Sequence, residues 1–436
     1  MSERVVITGM GLVSPLGHSV HATWQAYMAG TSGAGKTTIF DASTYPTTFS
    51  AEVKGFDLSK FIKTSHLHKD GSRGSQFALA AAAEACRQAG ITVDSDSRAD
   101  GIDRRRLGIY LGAGEGSADN EAFFSSIIAG TRPGSDAIDW KAWATAAKKM
   151  MSPSRELEQE ANMAATHLAL LTGARGPSRS CLTACAASTQ AVGEAAMLIR
   201  AGKADIMIAG GAHSMIHPLG ITGFNRLTAL STRNDSPQTA SRPFSKSRDG
   251  FVIGEGASIL VLESLSSAKK RGSAIIAEVL GYGSSSDAFR VTDMHESARG
   301  GSAAMRTALA DAGLSPADID YINAHGTSTS ENDSIETKAI KNVFGECAKK
   351  PSVSSTKSLM GHLIGAAGSA ELIISIVGMT EGIIPHTANL NDPDPELDLD
   401  YVPNSPRKGE MNVIMKESFG FGGQNDVVIV RKYTGS

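Results

Sequence analysis

Short apolar, β-branched runs alternate with longer helical patterns along the whole chain, and this rhythm limits the fold more than any other feature. Strand-like runs fall at residues 4–8, 107–111, 205–208, 258–262, 275–282, 319–324, 352–353, 413–415 and 427–430. Helical spacing falls between them, at 21–28, 75–89, 155–171, 185–199, 266–272, 298–312, 334–344 and 365–378. Such alternation calls for an α/β architecture in which both faces of the sheet are covered. The rhythm restarts after residues 266–272, so the pattern predicts a duplicated fold, although the two halves share no clear sequence self-similarity. Segment 118–151 is polar and mixed and reads as a helical excursion. Segment 391–400 is acidic and broken by prolines, and reads as an exposed loop.

At 436 residues the chain can bury a large core. Its net charge of −3 gives no reason to expect nucleic acid or a membrane surface as partner. No apolar run reaches the length of a bilayer span, and the opening MSERVVITGMG reads as strand and turn, not as a basic-then-apolar signal segment. The four cysteines, Cys86, Cys181, Cys185 and Cys347, form no C-x-x-C pair, which suits reduced thiols in a cytoplasmic protein. The stretch GTSGAGKT (30–37) fits the phosphate-loop pattern, but a helix precedes it and a β-branched, proline-ended segment follows. The pattern requires the opposite order, so the stretch reads as a glycine-rich loop and not as a nucleotide site.

Chemistry gathers in four places. In SCLTACAASTQAVGEAAMLI (180–199), Cys185 falls where small residues give way to a helical pattern. A helix start offers unpaired N–H groups and a positive dipole end, which favour a thiolate nucleophile. His325 follows an apolar strand and precedes Gly326, Thr327 and Thr329, and strand ends in such sheets are where catalytic groups collect. Lys357 and His362 lie in STKSLMGHLIGAAGSAE, where the lysine sits in a nearly uncharged stretch with Glu371 as its candidate partner. Last comes SFGFGGQND (418–426), whose glycines around Phe419 and Phe421 describe a mobile loop carrying an aromatic gate or backbone donors. A thiol with two histidines and no metal cluster points to acyl transfer through a thioester.

With these motifs, LTAC, NAHGTST, STKSLMGH and GFGG, the chain resembles the elongating β-ketoacyl-acyl-carrier-protein synthases of thiolase fold. The resemblance runs from VVITGMGLVSPLG to SFGFGGQN. It implies two similar halves in a five-layered α-β-α-β-α core. The first half would cover 1–265, carrying Cys185 and a helical cap insertion around 115–175. The second would cover 273–436, carrying His325, Lys357 and His362. The implied reaction is decarboxylative condensation of an acyl group on Cys185 with malonyl-acyl-carrier protein, in fatty acid elongation. Cys185 would be the nucleophile, and the N–H groups of Cys185 and Phe421 the oxyanion hole. His325 and His362 would drive decarboxylation and hold the enolate, while Lys357 supports His325. Thr327, Thr329, Phe419 and Phe421 would contact substrate. The resemblance further implies a homodimer, no cofactor of its own, and an acyl carrier protein that brings the phosphopantetheine arm. Lys60, Lys63, Lys69 and Arg226 are the candidate docking cations.

Several positions depart from the family. Glu115 in GAGEGS (112–117) stands at the gate of the acyl pocket, where an apolar residue is usual. Arg73 and Arg290 also stand at altered positions and are its candidate ion-pair partners. Glu417 and Gln424 replace an Asn and a Thr. The alternative readings are a polyketide or specialised-lipid ketosynthase and a non-catalytic partner subunit; the intact Cys185, His325, His362 and Lys357 argue against the latter. A thiol-reactive inhibitor of the family should therefore label Cys185 selectively, as read by peptide mass spectrometry. Label found mainly on Cys181, Cys86 or Cys347 would overturn the assignment.

Overall fold

The computed structural model describes residues 3–94, 100–114 and 119–435. Its framework is a 10-stranded mixed sheet. The strands are β1 (Val5–Val13), β2 (Leu107–Ala113), β3 (Ser178–Cys181), β4 (Ile206–His213) and β5 (Gly256–Ser264), then β6 (Ala277–Ser286), β7 (Tyr321–Asn323), β8 (Ser352–Ser354), β9 (Val413–Gly420) and β10 (Gln424–Lys432). In space the first five run β3-β2-β4-β5-β1 and the second five run β8-β7-β9-β10-β6. Within each set the order is the same, third, second, fourth, fifth, first. Parallel and antiparallel pairings match as well, with the fifth strand antiparallel to both neighbours. The duplication foreseen from the rhythm is therefore present in the topology.

The two sets join where Val5–Ile7 of β1 pairs antiparallel with Ala277–Val279 of β6. Only three residues pair there, so the two halves diverge and admit helices between them. Six helices build the layers: α1 (Arg73–Gln88), α2 (Met163–Thr172), α3 (Ala187–Arg200), α4 (Arg299–Ala312), α5 (Ser330–Phe344) and α6 (Ala367–Glu381). Helices α3 and α6 lie between the sheet halves and touch strands of both. Helices α1 and α2 cover the outer face of the first half, and α4, with α5 beside it, covers that of the second. The result is a five-layered α-β-α-β-α stack. Helix α6 is buried on nearly all sides and mostly apolar, with the paired Glu371 as its one buried charge. The window Ile364–Glu381 is long and apolar enough to cross a membrane, but 89% of it is buried inside the protein, which makes it the core helix of this fold.

Four sequence expectations need correction. Gly9 and Gly11 do not end β1 in a turn; the strand runs through them to Val13. Helix α1 presses so closely on β1 that a Cβ at Gly11 would sit 1.9 Å from the Ala81 carbonyl oxygen. Gly210 and Gly211 likewise lie inside β4 rather than beyond it. The helix expected over 155–171 is broken, with short turns up to Gln159 and α2 starting at Met163. Segment 418–426 is a tight hairpin instead of a mobile loop: β9 and β10 stay paired from Val413↔Arg431 to Gly420↔Gln424. The excursion after β2 contains two helices, Asn120–Gly130 and Trp140–Met150, packed on each other. In the 30–37 loop, Ala34–Lys36 is a short strand paired with Phe49–Ala51, and no helix follows it.

The contact between the central helices is equally close. A Cβ at Gly368 of α6 would lie 2.0 Å from Thr189 Oγ1 of α3, the hydroxyl that bonds Ser418 Oγ at 2.7 Å. Overpacking a core costs roughly 1–3 kcal/mol. Gly368→Val should lower the unfolding free energy by that amount, read as a lower urea midpoint with an unchanged slope. An unaltered midpoint would mean that the two helices can part freely.

Candidate active site

Strand β3 ends at Cys181 and α3 begins at Ala187, and a single 3-10 turn, Ala184–Ala186, carries Cys185 between them. Ala184 takes φ +47, a conformation that L-residues rarely adopt. This sharp turn sets Cys185 at the start of α3, where it is buried. Burial pushes its thiol up to about 11, against the opposing pull of the Lys357 ammonium and of the N–H groups of Phe421 and Cys185 itself. The expectation that the helix start would favour the thiolate is thus outweighed, in the resting protein, by desolvation.

His325 follows β7. Its own N–H and that of Gly326 donate to Glu336 at 2.5 and 2.7 Å, and its carbonyl accepts from Lys357 Nζ at 2.6 Å. His362 follows the short helix Lys357–Met360. The Ile364 N–H donates to His362 Nδ1 at 3.2 Å, so the neutral ring carries its proton on Nε2, which has no partner among the described residues. Both imidazoles are held well below the usual histidine range, first by burial and then by Lys357, so both are neutral at physiological pH. The two rings stand nearly perpendicular, with centroids 5.4 Å apart. Cys185 Sγ and a ring nitrogen of each histidine all lie within 4.8 Å of one another. Phe251 packs edge-on to His362, and Phe419 edge-on to His325.

Beneath this trio lies a buried charge network. Glu371 bridges two ammonium groups, Lys357 at 2.5 Å and Lys416 at 2.7 Å. Lys416 also donates to the Glu417 carbonyl. Burial and the adjacent Glu336 push the Glu417 carboxyl well above its usual range, which favours its neutral form. The Cys-His-His set has donor types that could ligate a metal ion. The Lys357 and Lys416 ammonium groups beside the histidines oppose a divalent cation there.

Two cavities meet at Cys185 and Phe421. One, of about 390 Å³, is lined by His325, His362, Thr327, Thr329 and Phe419. The other, of about 440 Å³, is lined mainly by apolar groups, among them Leu182, Met215, Leu219, Phe224 and Ile364. The Thr327 and Thr329 hydroxyls lie 2.9 Å apart, and Thr329 also caps α5 through the Asn332 N–H. Phe421 occupies the hairpin turn, where its N–H faces the sulfur of Cys185. Glu115 lies outside the described residues. Its two candidate partners are engaged elsewhere. Arg73 holds Glu255 with two nitrogens, at 2.6 and 2.8 Å, and Arg290 pairs with Asp293 at the surface. Cys86 and Cys181 are pushed up to about 12 by burial, and Cys181 points at the Ala187 carbonyl. Lys60, Lys63, Lys69 and Arg226 are exposed, and Arg226 adjoins Leu227 at the wall of the first cavity.

The sequence reading passed over Glu336, Lys416 and His213. A signal existed for Glu336. Asp333, Glu336, Ile340 and Phe344 recur at helical spacing, so two acids share the buried face of α5, which demands partners for them. Lys416 follows the apolar run Val413–Met415 in β9 and precedes Glu417 and Ser418, and nothing in that pattern separates it from an exposed strand position.

The family model "Beta-ketoacyl synthase, N-terminal domain" matches residues 2–268, and its C-terminal counterpart matches residues 276–391. The chain is 41% identical to a 3-oxoacyl-[acyl-carrier-protein] synthase 2 of Coxiella burnetii and 40% identical to that of Vibrio harveyi, in each case over 99% of both chains. Among solved structures it matches a type II polyketide ketosynthase bound to its acyl-carrier protein and a hexaketide, at TM-score 0.86 and 33% identity, with both chains fully covered. A β-ketoacyl synthase from Burkholderia phymatum matches at TM-score 0.86 and 32% identity, over 99% of this chain and all of the other. A buried thiol flanked by two neutral imidazoles, on a duplicated five-layered core, thus comes with full-length likeness to condensing enzymes, and the chain belongs to the β-ketoacyl synthase family.

Proposed function

We propose that this protein is a 3-oxoacyl-acyl-carrier-protein synthase. It joins an acyl group held on Cys185 to the two-carbon unit of malonyl-acyl-carrier protein, releasing CO2. The observation that carries this reading is the convergence of Cys185, His325 and His362 within 4.8 Å at the junction of two cavities. The apolar cavity suits an acyl chain, and the cavity lined by threonines suits the phosphopantetheine arm of the carrier protein. The carrier's acidic surface would dock on Lys60, Lys63, Lys69 and Arg226 in a homodimeric, cytoplasmic enzyme.

Each step draws on groups already placed. The Cys185 thiol attacks the incoming thioester while a neutral imidazole accepts its proton. The N–H groups of Cys185 and Phe421 hold the tetrahedral oxyanion. Transfer of the acyl group to sulfur frees the first carrier protein. Malonyl-carrier protein then enters from the threonine-lined side. His362 Nε2–H donates to the thioester oxygen, which becomes the enolate oxygen as CO2 leaves. His325 orients the carboxylate or a water. A neutral donor stabilises the enolate without protonating its carbon. The enolate carbon attacks the acyl-Cys185 carbonyl, the C–S bond breaks, and the thiolate takes back a proton. Lys357 and Glu336 act on His325 by fixing its backbone. A second reading, a polyketide or specialised-lipid ketosynthase with the same chemistry, draws on the solved neighbour that holds a hexaketide.

His325→Ala and His362→Ala should each lower malonyl decarboxylation by on the order of 10²–10³, while Cys185 is still acylated in intact-mass measurements. Decarboxylation at the parent's rate would remove that histidine from the mechanism. The elevated thiol gives a pH prediction as well. Thiolate is the reactive form and is scarce below the thiol's value of about 11. Alkylation of the resting enzyme by iodoacetamide should therefore climb about tenfold per pH unit between pH 7 and 9. Lys357→Met, by removing the attracting ammonium, should slow it further. A plateau near pH 7 would contradict the burial argument.

A further inference from the structure

Among the described residues, the apolar cavity beyond Cys185 has one polar side chain that the reaction leaves unused. His213, the last residue of β4, is 3% exposed and lines this cavity together with Cys185, Met215 and Phe224. The Gly365 N–H donates to its Nδ1 at 3.3 Å. The proton of the neutral ring therefore sits on Nε2, and Nε2 has no partner among the described residues. Burial holds the ring down to about 4, so it is neutral at physiological pH. The Nε2 edge lies against Gly114, which lines the same cavity: a Cβ built there would be 2.0 Å from Nε2. A buried N–H with nothing to bond is costly, and the cost falls when an arriving ligand brings an acceptor.

We propose that His213 is a specificity residue for the acyl group, and that it selects chains carrying a neutral acceptor oxygen, an oxo or hydroxyl group, over plain alkyl chains of equal length. The inference rests on the condensing-enzyme reading above and adds the chemical class of the substrate. A saturated alkyl chain filling this cavity brings no acceptor to the His213 donor. A chain with an oxygen at the matching depth accepts from Nε2–H and removes that penalty. A site built to bond a substrate oxygen discriminates against the analogue lacking it far more sharply than an apolar site discriminates by size. An unpaired carboxylate would be costly to bury in this mainly apolar cavity, so the matching oxygen is an uncharged one.

The test uses the intact enzyme and chain-matched pairs of thioesters on acyl carrier protein. Hexanoyl, octanoyl and decanoyl groups are compared with their single-oxo counterparts, the oxo group being moved along the chain. The readout is kcat/KM for acylation of Cys185 by intact-mass spectrometry. At one oxo position the wild type should favour the oxygenated chain by on the order of tenfold or more. His213→Phe removes the donor and should bring the oxo and plain chains to equal kcat/KM, the readout being their ratio within the variant. His213→Gln keeps an N–H donor and should retain a preference. Equal rates for all pairs in the wild type, or a preference that survives in His213→Phe, would overturn the proposal. Failure of every thioester to acylate Cys185 would instead sink the condensing-enzyme reading, and this inference with it.

Discussion

Helices α3 and α6 touch across the centre of the molecule at Thr189 and Gly368, a contact with no room for even one methyl group. The geometry of the site follows from that approach. Helix α3 begins just after Cys185, and α6 begins five residues after His362. Pressing the two helix starts together brings the thiol of one half against the imidazole of the other. Each helix touches strands of both sheet halves, so neither can retreat without opening the core. The reacting groups are therefore placed by rigid packing, which keeps them close to a productive geometry before any substrate arrives.

The same burial creates an electrostatic problem that the charge network answers. Five ionisable side chains, Glu336, Lys357, Glu371, Lys416 and Glu417, are buried under the histidines. Burying charges singly is costly, and pairing offsets much of that cost only when every partner is present. Glu371 holds two lysines, Glu336 takes two backbone N–H groups, and burial beside Glu336 pushes the Glu417 carboxyl toward its neutral form. The network leaves positive charge beside His325 and His362, which together with burial keeps both rings neutral. Neutral rings suit the enolate of the proposed mechanism, because they donate a hydrogen bond without surrendering a proton to carbon. The structural lysine and the chemical property of the histidines are one arrangement.

Strand and helix positions were legible because their periodicity is local. Glycine was the main source of error. Gly9, Gly11, Gly210 and Gly211 read as punctuation in sequence, yet they lie inside strands. At Gly11 the omission of a side chain serves the close approach of α1, a neighbour that no local window contains. The 418–426 stretch failed for a related reason. Its glycines and aromatics suggested mobility, whereas pairing of β9 with β10 holds it as a hairpin that presents the Phe421 N–H to Cys185.

The sequence by itself determined which groups are present for chemistry: Cys185 at a helix start, His325 at a strand end, His362 among small residues and Lys357 in an uncharged stretch. Side-chain type and local spacing carry that information, and both survive in a linear string. Only the tertiary structure decided how these groups behave. The helix start at Cys185 suggested a thiolate, but enclosure by both halves raises the thiol instead. Glu336, Lys416 and His213 acquire meaning only through atoms from distant parts of the chain: the His325 backbone, Glu371, and the Gly365 N–H. Desolvation and hydrogen-bond partnership depend on what closes over a residue, and that is settled when the two halves pack.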